Sequence, residues 1–156
     1  MGEERPFVQI YADGACSCNP GVGGYGAIVR WGKKEMELSG CEEMTTNNRM
    51  EMLAVIAALE ALKKPCTVRV ITDSNYIVKG MKNWMAQWIK NNWKNSEKKD
   101  VLNKDLWIRL INASNIHKME WEWIRGHNGH IENERCDLLA RNAIKKCREH
   151  RRGEES

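Results

Sequence analysis

Two apolar β-type runs that each close on an aspartate constrain this chain most. The first, Phe7-Val8-Gln9-Ile10-Tyr11-Ala12-Asp13-Gly14, is almost unbroken in apolar, β-branched and aromatic types. That suits a strand covered on both faces, and the run stops at Asp-Gly, a turn pair. The second, Thr67-Val68-Arg69-Val70-Ile71-Thr72-Asp73-Ser74, repeats the theme. Between them, residues 49–62 have helix-forming composition and stop short of Pro65, with Met50, Leu53, Ala54, Ala57 and Ala61 at helical spacing. A strand, a helix and a strand in this order predict a right-handed crossover, with the Asp73 strand parallel to one of the early strands and the Asp13 strand its candidate neighbour. Both aspartates then lie at the same end of one sheet.

The other elements follow from local patterning. Residues 14–24 are rich in turn formers and are expected to be a connecting loop, while 25–31 and 34–40 read as strands joined by a Gly-Lys turn. With the first strand they form an antiparallel meander. A helix starts at Asn75, another spans 102–113, a fifth strand spans 119–124, and a last helix runs from Glu132 to about Arg148. Leu139, Ala140, Ala143, Ile144 and Cys147 mark the packing face of that last helix, and Asp137 and Arg141 are spaced for an ordinary ion pair. The ordered core is expected over 7–148 of a single domain, 1–156, with a frayed basic tail.

Local readings compete at the acidic positions. Asn48 and Glu51 are spaced as in a capping box, and Asp73 could cap the helix that follows, with Ser74 as its rival. Ile77, Met81, Trp84, Met85 and Trp88 fit a buried helical stripe, yet Trp93, Lys94, Lys98 and Lys99 continue it in a way that suits nucleic acid. On this pattern Trp84 and Trp88 are buried and Trp93 is exposed. The loop Gly126-His127-Asn128-Gly129-His130 carries two imidazoles that can move protons near neutral pH.

Composition narrows the classes. A formal net charge of +4 with pI near 8.7 favours a polyanion without demanding one. No apolar run is long enough to span a bilayer, and the start of the sequence lacks the pattern of a signal peptide, so a cytoplasmic protein is expected. Its six cysteines are therefore expected as reduced thiols, and Cys16 and Cys18 have no partner pair at zinc-site spacing. Cys16 and Cys18 also crowd the Asp13 turn, where oxidation could reach activity.

Taken together, Tyr11-Ala12-Asp13-Gly14 with Asn19-Pro20-Gly21, Thr46-Asn47-Asn48-Arg49-Met50-Glu51, Thr72-Asp73-Ser74, and the stretch from Trp123 to Asp137 containing Gly-His-Asn-Gly-His resemble ribonuclease H of the bacterial type I family. The resemblance covers about 7–148, with several motifs in the family's order. It implies an α/β ribonuclease H-like fold, a five-stranded mixed sheet of order 3-2-1-4-5 flanked by helices. The implied activity is hydrolysis of the RNA strand of an RNA/DNA hybrid, leaving 5′-phosphate and 3′-hydroxyl ends. By the same resemblance Asp13, Glu51, Asp73 and Asp137 match carboxylates that hold two Mg²⁺ ions, with Mn²⁺ as a substitute, an oxygen-donor set that suits hard cations. His127 matches a mobile histidine that assists proton transfer or product release, and Glu134 a nearby acid. Asn19, Asn47, Asn48 and Asn75 would face the minor groove, and Thr46 a DNA phosphate. Gln87 would stand at a contact position, and Trp84, Trp88, Trp93, Lys94, Lys98 and Lys99 would form a basic protrusion, here thin in cations. A monomer without obligate protein partners is expected. Two alternatives remain: a metal-dependent DNA nuclease or integrase-like member of the same fold, and a hybrid-binding module without catalysis.

Overall fold

The computed structural model describes residues 5–125 and 130–155, with side chains through residue 150. Strands β1 (Phe7–Cys16), β2 (Gly21–Trp31), β3 (Lys34–Thr45), β4 (Thr67–Thr72) and β5 (Lys118–Trp123) form one sheet in the order β3-β2-β1-β4-β5. The first three pair antiparallel, and β1–β4 and β4–β5 pair parallel, so the expected mixed sheet and its strand order hold. Ala12 is opposite Thr72 in the β1–β4 register, which brings Asp13 and Asp73, one residue further on each strand, to the same level.

Helix α1 (Asn47–Glu60) packs on one face of the sheet. Beside it lies α4 (Lys104–Ser114), tied to α1 by Arg109–Glu60 and Arg49–Asp105 ion pairs at 2.7 and 2.8 Å. Val8, Ile10, Ala27, Val29, Val68 and Val70 from the strands meet Met52, Val55, Ile56 and Leu59 of α1 and Trp107 and Leu110 of α4 in the main core. Helix α5 (Ile131–Glu155) covers the other face, with Cys136, Ala140, Ala143 and Ile144 buried. The short helices α2 (Asn75–Lys79) and α3 (Met85–Lys90) are joined by one π-helical turn, Gly80–Trp84.

Three expectations change. The glycine-rich segment 14–24 is largely strand, since β1 continues to Cys16 and β2 begins at Gly21. Its glycines serve close packing: a Cβ on Gly24 would collide with the Ala140 carbonyl of α5. The tail is helical to Glu155 rather than frayed from 149. The cysteines are not all reduced, because Cys41 of β3 and Cys147 of α5 form a disulfide with Cα atoms 6.2 Å apart. Cys16, Cys18, Cys66 and Cys136 are free thiols.

Candidate active site

Asp13 is carried on β1 and is 4% exposed. Its level in the sheet is fixed by pairing on both sides, Asp13 with Gly26 of β2 and Ala12 with Thr72 of β4. Asp73 follows the end of β4, where its carbonyl accepts the Trp123 indole N–H at 3.0 Å. Glu51 comes from the opening turns of α1. That helix is capped by Thr46, whose hydroxyl accepts the Arg49 N–H at 3.3 Å, while its backbone carbonyl takes the first intrahelical bond from Met50. The capping-box reading of Asn48 and Glu51 is thus displaced by two residues, and Glu51 is left to point at the sheet. Ser74, not Asp73, caps α2, accepting the Ile77 N–H at 3.3 Å.

Carboxylate oxygens of Asp13, Glu51 and Asp73 lie within 4.8 Å of one another. Oε2 of Glu51 is buried without a hydrogen-bond partner, a state that costs free energy unless a ligand completes it. Burial, then the charge of Asp73, pushes the Asp13 carboxyl up to about 7, and Asp137 adds to the effect. Burial and the neighbouring Asp13 and Asp73 also push Glu51 well above the ordinary carboxylate range. The Gly14 amide is a backbone donor to both Asp13 and Glu51 and opposes these shifts without overcoming them. Such a group of oxygen donors, crowded and under-neutralised, fits a hard divalent cation.

Asp137 stands apart from that trio. It lies on α5, close enough to raise the Asp13 carboxyl, but its own Oδ2 accepts from Arg141 Nε at 2.9 Å. Glu134 is exposed one turn earlier on the same helix. His127 lies outside the described residues.

The sequence profile of the RNase H family matches residues 5–145. The chain is 61% identical over 137 residues to the ribonuclease H of Geotalea uraniireducens (strain Rf4), covering 88% of this chain and 93% of that relative. The chain belongs to the ribonuclease H family. To the ribonuclease H of Syntrophotalea carbinolica it is 57% identical over 144 residues, 92% of this chain and 95% of the relative. Among solved structures, LC9-RNase H1, a type 1 RNase H with the type 2 active-site motif, superposes with a TM-score of 0.85 at 34% identity, covering 94% of this chain and 75% of the other. LC11-RNase H1 in complex with an RNA/DNA hybrid superposes with a TM-score of 0.69 at 26% identity, covering 90% and 98%.

Of the polar residues named from the sequence, Asn19 and Asn47 are in direct contact. Asn19 Oδ1 accepts the Asn47 N–H at 3.1 Å, which ties the β1–β2 loop to the start of α1. Asn19, Asn47, Asn48 and Asn75 are exposed, and Thr46 is half-buried by its capping role. In the segment expected as a protrusion, the exposure order is the reverse of that expected. Trp84 is 36% exposed, whereas Trp93 is half-buried and packed with Trp88 at 5.9 Å between ring centres. Trp88 rests on Trp107 at 5.0 Å, and Tyr76 joins the cluster by accepting the Trp107 indole N–H. The rings are drawn inward because buried Trp107 gives them an apolar floor. Gln87, Lys94, Lys98 and Lys99 are exposed. Two of these lysines are already engaged by acids of the same loop, Lys94 by Asp100 and Lys99 by Glu97.

Three further residues, each inside a motif quoted above but given no role there, support the site. Trp123 holds the Asp73 backbone, Thr72 Oγ1 accepts the Ser74 N–H at 3.0 Å, and Gly14 leaves room for α1. Trp123 acts across fifty residues of chain, Thr72 within its own turn, and Gly14 through a missing side chain.

Proposed function

We propose that this chain hydrolyses the RNA strand of RNA/DNA hybrids, leaving 5′-phosphate and 3′-hydroxyl ends. The observation that carries the reading is the convergence of Asp13, Glu51 and Asp73 within 4.8 Å from three separate elements, with Glu51 Oε2 buried and unpartnered. Its ribonuclease H relatives, and the hybrid bound by LC11-RNase H1, support the substrate class. Asp13, Glu51, Asp73 and Asp137 are the donors that would hold Mg²⁺ or Mn²⁺, two ions in the presence of substrate, and these would supply an activated water and charge neutralisation at the phosphate.

The protein's own residues do the rest by placement. Asp13 is locked by its sheet pairings and Glu51 by the Thr46 cap, so the donors are pre-oriented before substrate arrives. Asn19, Asn47, Asn48 and Asn75 offer amides to the minor groove, where the 2′-hydroxyl distinguishes RNA from DNA. Thr46, Gln87, Trp84, Trp88, Trp93, Lys94, Lys98 and Lys99 contact the backbone and sugars, with Glu134 beside the scissile ribose. His127 assists proton transfer or product release. A cytoplasmic monomer built as one domain belongs to the same reading. Among the described residues no helix is long and apolar enough to cross a membrane.

A cleavage assay tests this directly. One end-labelled RNA is offered paired with DNA, alone, and in an RNA duplex, with Mg²⁺ and with EDTA. Cutting confined to the hybrid, dependent on metal and leaving 5′-phosphates is the expected result. A hybrid that stays intact while DNA is cut would transfer the chain to the DNA-cleaving members of the fold. A hybrid bound and never cut would make it a binding module.

A further inference from the structure

Cations recur along one face of α5 after Asp137. Arg141, Lys145 and Arg148 follow it at spacings of four, four and three residues, so their side chains stand above one another on the helix. Together with Ile144 and Glu149 they line one shallow groove. Arg141 is engaged by Asp137, but Lys145 and Arg148 are exposed, and neither is paired with an acid among the described residues.

The balance of charge favours this helix over the segment expected to bind. From 141 to 152 the sequence carries six cations and one acid, Glu149. From 84 to 104 it carries five lysines and two acids, and Lys94, Lys99 and Lys104 are all in contact with those acids. Those two acids offset two of the five positive charges around Trp84–Trp93. On α5, Lys145 and Arg148 have no acid partner among the described residues and are left for one.

The groove also points the right way. Helix α5 lies along β2, with Ala140 and Ile144 against Gly24, and the Cys147–Cys41 disulfide anchors its next turn to β3. Cys41 pairs with Gly24, and Gly24 with Ala15, two residues beyond Asp13. The stripe thus starts beside the carboxylates, at Asp137, and runs along α5 toward the turn that the disulfide ties to β3.

We propose that Arg141, Lys145 and Arg148 form a phosphate-binding stripe that holds the hybrid's backbone on the α5 side of the carboxylates; this rests on the hybrid being the substrate. Arg141 to Arg148 is seven residue steps of helix, about 10 Å, or about three phosphates of one strand. Phosphates track cations by charge alone, so the stripe adds affinity without reading sequence.

The double variant K145Q/R148Q tests it, because neither side chain touches Asp137. On a long hybrid at low salt, KM should rise about five- to ten-fold with kcat unchanged, and the dependence of log KM on log salt should flatten by about one to two. The double variant K145R/R148K should restore wild-type values, and the melting temperature should not move. Shortening the hybrid from one end should erase the difference between wild type and K145Q/R148Q, and shortening from the other should keep it. Wild-type KM and salt slope in K145Q/R148Q, or equal loss with either end shortened, would overturn the stripe alone. A wild-type chain that neither binds nor cuts hybrid would overturn the proposed function with it.

Discussion

Arg141 Nε donates to Asp137 Oδ2 at 2.9 Å across one turn of α5, so the fourth acid is held by a cation while it acts on Asp13 from a distance. The pair is partly exposed, and pairs of this kind are worth less than about 1 kcal/mol. Arg141 therefore acts as a soft restraint on Asp137. Replacing Arg141 by Gln should free the carboxylate for a cation and tighten Mn²⁺ binding up to about five-fold, measured by calorimetry without substrate. Asp137→Asn should weaken it. Identical isotherms for wild type and both variants would remove Asp137 from the metal site.

Crowding of Asp13, Glu51 and Asp73 makes the metal-free protein sensitive to pH. The Asp13 carboxyl rises from 3.8 to about 7 on folding, so between those values the folded chain holds a proton that the unfolded chain releases. Stability is highest at the acid end of this window and falls as pH rises through it. In EDTA, Asp13→Asn should make that decline shallower, with Glu51 supplying what is left of it, and stabilise the protein at neutral pH by about 2 kcal/mol, a value well under the full shift because the carboxylates titrate together. Chemical denaturation of both proteins across the window checks it. Parallel curves would show that Asp13 titrates normally.

The sheet and the meeting of Asp13 with Asp73 were legible because both rest on local signals, an apolar run, a turn pair and a helix between two strands. Glu51 was harder to place. Its spacing from Asn48 imitates a cap, and only the position of Thr46 shows that the helix begins two residues earlier. The exposure of Trp84 and Trp93 was misread because helical spacing cannot reveal Trp107, which arrives from a later helix to form the floor under Trp88. The Cys41–Cys147 bridge was invisible for a similar reason. Its partners are 106 residues apart, and no pattern in either segment announces the other.

Thr46 joins the fold to the site. Its hydroxyl satisfies the Arg49 N–H, and loss of such a cap costs about 1 kcal/mol. Thr46→Ala should lower the melting temperature, and Thr46→Ser should restore most of it. Activity measured well below both melting temperatures should fall further in the alanine variant than stability alone explains, because the same cap orients Glu51. Equal activity in all three proteins would confine Thr46 to stability.

The disulfide between β3 and α5 closes a loop of 106 residues, and removing a bridge of that kind costs about 2–4 kcal/mol. Reductant should lower the melting temperature of the wild type and leave C41S/C147S unchanged. Cys18, exposed, should react with alkylating reagents before Cys136, whose thiol is buried and pushed up to about 12. Mass spectrometry of a timed reaction reads the order. Insensitivity of the wild type to reductant would mean that the two cysteines are not bonded in solution.

The most exacting test of the site is a single methyl group on Gly14. A Cβ there would lie 2.5 Å from the Glu51 amide nitrogen and 2.6 Å from the Met50 carbonyl carbon, both backbone atoms that cannot swing aside. Helix α1 must then move off β1, taking Glu51 with it, while Asp13, Asp73 and every other acid keep their identity. A displacement near 1 Å at a catalytic group costs on the order of 100-fold in rate. Gly14→Ala should therefore fold, bind Mn²⁺ more weakly than wild type, and lose about that much hybrid cleavage. Gly32→Ala is the control: nothing lies within 4 Å of its added methyl, and although its φ of +58° costs stability, it should leave cleavage intact. Wild-type cleavage by Gly14→Ala would mean that the close approach of α1 to β1 does not set the geometry of the carboxylates.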